Sequence, residues 1–170
     1  MTEMRAAAAR ALIKKDEDAA KQLIHNLADT NADLDILTDN GRTLLMIAAS
    51  FGFRSTTQLL LERRAAVHAQ GSDGRAALHC AAGRASVEIM GDLLAARADP
   101  HLTSTTGRTA SSDARLFAAP AKLDDIRKVL RDYGFEEHAC EKRLWAKRRL
   151  RDSNEALWRA DLDVELMPMV

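Results

Sequence analysis

The chain has 170 residues, of which 25 are basic and 25 acidic, so no whole-chain field draws it to nucleic acid or to a membrane. With 8 glycines, 3 prolines and 4% aromatics against abundant alanine, it excludes a loop-rich or all-β fold and suits close-packed helices. Its length gives one domain, or one domain and a tail, and two cysteines, Cys80 and Cys140, make no disulfide framework.

The first predicted elements lie in residues 5–38. Arg5 to Lys15 is a good helix former. A second helix over Asp18 to Asp29 puts Ala20, Leu23, Ile24 and Leu27 on one face. Lys14, Lys15, Asp16 and Glu17 give the segment a charged outer surface, as an end cap needs.

Residues 39–71 open on Asp39-Asn40-Gly41-Arg42, a tight turn with Gly41 free to take positive φ. Thr43 is placed to cap the helix that follows, Leu45, Ala48 and Ala49 face inward, and Gly52 ends it. A second helix, Ser55 to Arg63, carries Leu59, Leu60 and Leu61. Residues 72–104 repeat the plan through Ser72-Asp73-Gly74-Arg75, an inner helix with Leu78, Ala81 and Ala82, and an outer helix from Val87 to Leu94.

Residues 105–138 begin it again at Thr106-Gly107-Arg108-Thr109, but Ser111 and Ser112 replace an apolar pair. About three extra residues are expected near Phe117 to Pro120. The second helix closes through Leu123, Ile126, Val129 and Leu130, with Gly134 as its cap. Residues 139–170 lie outside the repeat: a helix over 139–160 with a basic stretch from Lys142 to Arg151, then an acidic end alternating at Leu162, Val164 and Leu166 like an extended strand.

Gly41, Gly74 and Gly107 fall 33 residues apart, and a fixed period of this size marks a stacked-repeat architecture. Asp73-Gly74-Arg75-Ala76-Ala77-Leu78-His79-Cys80-Ala81-Ala82 is its clearest beat. The pattern resembles the ankyrin repeat, whose motif runs Gly-x-Thr-Pro-Leu-His-x-Ala-Ala and, after a second helix ending in Leu-Leu, Gly-Ala-Asp. The motif's proline is Leu44, Ala77 and Ala110 here, its histidine survives as His79, and its loop glycine is Arg64 and Arg97, retained only as Gly134. Those loop changes are expected to soften the loops and leave packing intact. The resemblance covers residues 5–138 and implies an all-α helix-turn-helix solenoid of about four repeats, giving a stack over 1–138 that the helical and extended tail, 139–170, follows.

No catalytic set is legible. The turn glycines are single, without Gly-x-Gly-x-x-Gly or Gly-Lys-Ser/Thr. His68 and His101 lie one period apart, about 10 Å in a helix stack, too far to share a metal. They and His79 are assigned to loop-backbone hydrogen bonds, and Cys80 to the core. The expectation is therefore a non-enzyme with no cofactor and no metal.

The resemblance places partner binding on the face of turn tips and inner helices. That face carries Asp39, Asn40, Arg42, Ser50 and Phe51, then Ser72, Asp73, Arg75 and Arg84, then Thr105, Thr106, Arg108, Leu116 and Phe117. Arg42, Arg75 and Arg108 share one register position and should form a ladder, either solvated or turned toward carboxylates, which arginine forks pair in bidentate fashion. The tail adds Leu144, Trp145, Arg148, Arg149, Trp158, Leu162, Val164 and Leu166, which pack on the last repeat or on another chain.

The resulting expectation is a scaffold or adaptor for one or more proteins, or a small accessory subunit of a larger assembly. The alternatives are a regulator whose tail inhibits or targets an enzyme and, more weakly, a nucleic-acid or anionic-surface binder through Lys142 to Arg151. No apolar run nears the roughly 18 residues of a membrane span. Met1 to Ala9 lacks a secretory apolar segment, and its arginine suits an organelle-targeting remnant less well than a helix of the fold. With so few cysteines the expected setting is a reducing intracellular compartment, cytoplasmic by default, with an organelle-associated complex as the alternative.

Overall fold

A 33-residue beat can fold only if each unit covers its neighbour's apolar side, because eight-residue helices are marginal alone. In the computed structural model, which describes residues 2–29, 33–35, 37–39 and 41–135, that stacking is complete. Met1–Phe135 is one compact unit. Asn40 and the whole tail, from Leu144 and Trp145 to Leu166, lie outside the described residues.

Eight helices are described, in four pairs: α1 (Thr2–Ile13) with α2 (Glu17–Asp29), α3 (Leu44–Phe51) with α4 (Arg54–Glu62), α5 (Ala77–Arg84) with α6 (Val87–Ala95), and α7 (Ala110–Phe117) with α8 (Pro120–Asp132). Helices α1, α3, α5 and α7 form an inner row, and α2, α4, α6 and α8 an outer one. Ala48, Ala49, Ala81, Ala82 and Ala114 are fully buried, so inner helices approach without large side chains between them. Leu27, Leu60, Leu93 and Ile126, one per outer helix at one register position, are equally buried. Each is worth about 1.5–3 kcal/mol over an exposed side chain.

The turns repeat atom for atom. Thr38 N–H donates to Arg42 O, Gly71 N–H to Arg75 O and Ser104 N–H to Arg108 O, each at 2.9 Å. Gly41, Gly74 and Gly107 all take positive φ, 65°, 70° and 71°. Successive turns are stitched together by Ser72 N–H to Gly41 O at 2.9 Å and Thr105 N–H to Asp73 O at 3.1 Å. Thr43 and Thr109 cap α3 and α7, accepting from Met46 and Ser112 N–H, both at 3.3 Å.

The structure corrects two expectations. No residues are inserted near Phe117, because Arg54, Val87 and Pro120 begin their helices in strict 33-residue register. The added length is a further turn at the end of α8, 13 residues against 9 in α4 and α6, so the Gly134 cap comes later than Arg97 by one turn. Where glycine is lost, the backbone keeps the glycine conformation. Arg64 and Arg97 are held at φ 60° and 66°, and Ala85 at 59° replaces the Gly52 cap, so these residues carry left-handed strain. The second correction concerns His101, whose ring bonds no loop backbone among the described residues. It lies against Phe135 with centroids 4.9 Å apart, while its backbone N–H is held by Asp99.

Candidate binding face

The face of turn tips and inner helices is built by the turn geometry. Each turn projects the residue after its glycine, Arg42, Arg75 or Arg108, beside the start of an inner helix. Two rungs of the ladder turn onto one buried carboxylate. Arg75 Nη2 lies 3.0 Å from Asp113 Oδ2 and Arg108 Nε 3.4 Å from Asp113 Oδ1. Asp113 is fully buried, at the register position where Ile47 and Cys80 stand in the preceding repeats. A carboxylate there is tolerable because two guanidiniums converge on it from adjacent turns. Arg75 Nη2 also donates to His79 O at 3.2 Å. Arg42 reaches only a loose, half-exposed pair with Asp73 at 3.8 Å.

His79 serves the same corner. Ala76 occupies the N-cap of α5 without a side-chain acceptor, and His79 Nδ1 accepts the Ala76 N–H at 3.2 Å instead. The neutral ring therefore carries its proton on Nε2 and donates to Arg108 O at 2.9 Å. Burial pushes the imidazole below its ordinary value, against the pull of that Arg108 carbonyl bond and of Asp113. Burial likewise raises the Cys80 thiol, which is a free core cysteine as expected.

Beside the ladder is a hollow of about 250 Å³ lined by Arg42, Ser50, Arg75, Cys80, Gly83, Arg84 and Phe117. Arg42, Arg75, Arg84 and Phe117, all expected on this face, are thus brought together. Leu116 is the residue preceding Phe117, and it is 50% exposed. Asp39 and Ser72 are exposed on turn tips. Asp73 holds Arg75 N–H at 3.1 Å and its carbonyl takes Thr105. Phe51 stands apart from the hollow, half-buried and stacked on Phe53 at 6.0 Å. Sequence reasoning placed Ser50 on this face, where it lines the hollow, and missed Asp113 and Gly83. The signal for Asp113 was a charge in a register otherwise apolar, and for Gly83 a glycine inside a helix.

The outer row carries a second polar surface. Arg54 grips Asp92 through Nε at 2.8 Å and Nη2 at 3.1 Å, with Gln58 on the same carboxylate. Glu17 is more than a solubilising charge, since it accepts from the hydroxyls of Ser55 and Thr56. Among the described residues, no cluster of His, Cys, Asp and Glu is placed to hold a metal, and no helix is long and apolar enough to cross a membrane.

A profile of ankyrin repeats (three copies) matches residues 4–110. The chain belongs to the ankyrin-repeat family. It is also 40% identical over 101 residues to the rice (Oryza sativa subsp. japonica) zinc finger CCCH domain-containing protein 24, covering 54% of this chain and 12% of that protein. It is 38% identical over 72 residues to the mouse (Mus musculus) protein fem-1 homolog A-like, covering 42% of this chain and 11% of that protein. The chain thus spans about a tenth of the length of these relatives. Ankyrin repeats are a protein–protein interaction module and generally a non-catalytic one.

Proposed function

We propose that this chain is a non-catalytic adaptor, or a small accessory subunit of a larger protein assembly, that holds one partner segment on the face of its turn tips and inner helices. The supporting observation is the row of ordered turns together with the exposed pair Leu116 and Phe117 at the end of α7, beside a hollow open to solvent. Stacked, hydrogen-bonded turns and the helices that follow them hold this face ordered before binding, which keeps the entropic cost low. Exposed aromatic and aliphatic groups beside arginine have the composition of an interface core.

A photo-crosslinking amino acid placed at Asp39, Ser72 or Leu116 tests this in the full chain. Partner adducts should form from these three sites and not from Gln58 or Glu88 on the outer row. Adducts confined to the outer row would overturn the assignment of the face.

A further inference from the structure

The hollow on the inner face has a chemistry of its own. Three of its lining residues, Arg42, Arg75 and Arg84, are cationic, and none is a carboxylate. Their existing partners leave capacity unused. Asp113 is shared between Arg75 and Arg108, so it neutralises only one of the two. Arg42 keeps a long contact to Asp73. Arg84 makes no ion pair among the described residues and lies along Gly52, its Nε 3.7 Å from where a Cβ would stand. That places the guanidinium past the carbonyl end of α3, a favourable place for a cation, with Arg84 lining the hollow.

Two further residues shape the space. Gly83 occupies the register held by Ser50 and Leu116 in neighbouring repeats. A Cβ there would come 3.3 Å from Arg75 Nη2 and 3.8 Å from Phe117, so its absence keeps the hollow open. Phe117, 59% exposed, forms an apolar wall. At about 250 Å³ the space falls below the roughly 300–1,000 Å³ of small-molecule sites, and suits a side chain or two rather than a cofactor.

The geometry points to an acidic protein segment as the occupant: a Glu or Asp side chain seated between Arg42 and Arg84, with a neighbouring apolar residue of that segment against Phe117. This deepens, and rests on, the assignment of the inner face as the binding surface. The carboxylate would exchange solvated arginine for charge-assisted bonds in a site shielded by Phe117, while Arg75 stays committed to Asp113. The ladder position thus divides its labour. Arg75 and Arg108 hold the stack, and Arg42 with Arg84 meets the partner.

The test is fluorescence anisotropy of the full chain with labelled heptapeptides. The acidic probe is Ser-Gly-Glu-Phe-Glu-Gly-Ser, and its counterparts carry Gln-Phe-Gln and Lys-Phe-Lys. The acidic probe should bind more tightly than the Gln form by on the order of tenfold, and the Lys form should not bind. Arg84→Gln should remove about the same factor, whereas Arg97→Gln, on a loop away from the hollow, should leave affinity unchanged. Retained helical circular dichroism shows that Arg84→Gln folds. Equal binding of the Glu and Gln probes would overturn the proposal, as would an unchanged affinity in Arg84→Gln or tighter binding of a single-stranded thymidine dodecamer. If partner adducts form at Leu116 but the acidic probe does not bind, the face stands and the acidic occupant falls. If neither is seen, both fall.

Discussion

Gly74 and Gly107 occupy equivalent turns at nearly equal φ, 70° and 71°, yet they face different surroundings. A Cβ at Gly74 would meet the backbone N of Thr105 at 2.6 Å and the Ser104 carbonyl carbon at 3.1 Å. At Gly107 it would meet nothing within 4 Å among the described residues. The pair therefore separates the conformational role of a turn glycine from its role in stacking. In both turns, alanine adds about 1–2 kcal/mol of left-handed strain. It recovers about 0.4–1 kcal/mol by restricting the unfolded chain. Gly107→Ala should thus cost about 0.5–1 kcal/mol by the difference of these terms. Gly74→Ala must also push the next turn away. That movement strains or breaks the bonds from Thr105 N–H (3.1 Å) and Oγ1 (2.8 Å) to Asp73 O. At about 1 kcal/mol each, they bring the total to about 2–3 kcal/mol. Urea unfolding of the full chain followed by circular dichroism at 222 nm measures the difference. Equal destabilisation by the two substitutions would refute the claim that turn-to-turn contact, rather than φ alone, requires glycine at Gly74.

The same reasoning predicts gains elsewhere. Arg64→Gly and Arg97→Gly each relieve left-handed strain at exposed positions, φ 60° and 66°, and should stabilise by about 0.5 kcal/mol after the entropic cost of glycine; unchanged or lower urea midpoints would count against the strain. His79 should make stability depend on pH. Its folded value lies below the ordinary 6.5, so the unfolded chain takes up the proton first. The stabilisation is fully present above about 6.5 and is lost as pH falls below it toward the folded value. The urea midpoint should therefore drop between pH 7.5 and pH 5.5, a range above the ordinary 4.5 of Glu17, whose own value is lowered. His79→Met, the residue at the equivalent position in the preceding repeat (Met46), should flatten that slope. A slope that persists in the variant would remove His79 as its cause.

Much of the fold was legible because its determinants are local and periodic. Turn glycines at a fixed spacing, Thr43 as a cap, and alanines on one helix face act within a few residues, so register alone places them. The all-α stack and its family follow from that periodicity. The binding face was legible only as a set of register positions. Arg42, Arg75 and Arg108 are equivalent in sequence, and nothing in their own turns distinguishes them.

Tertiary structure broke that equivalence. Asp113 lies 38 residues beyond Arg75, and only the stacking of α5 on α7 brings the two within 3.0 Å. A buried carboxylate must find cations, so it takes Arg75 and Arg108 and leaves Arg42 on the loose contact with Asp73. The hollow arises in the same way, from the missing Cβ of Gly83 meeting Phe117 of the next repeat and Arg84 laid along Gly52 of the previous one. By itself the sequence determined the repeated backbone and the residues it can present. Which of those residues are consumed in holding the stack, and which remain to meet a partner, was decided by contacts between repeats, because charge pairing and cavity shape depend on neighbours a full period away.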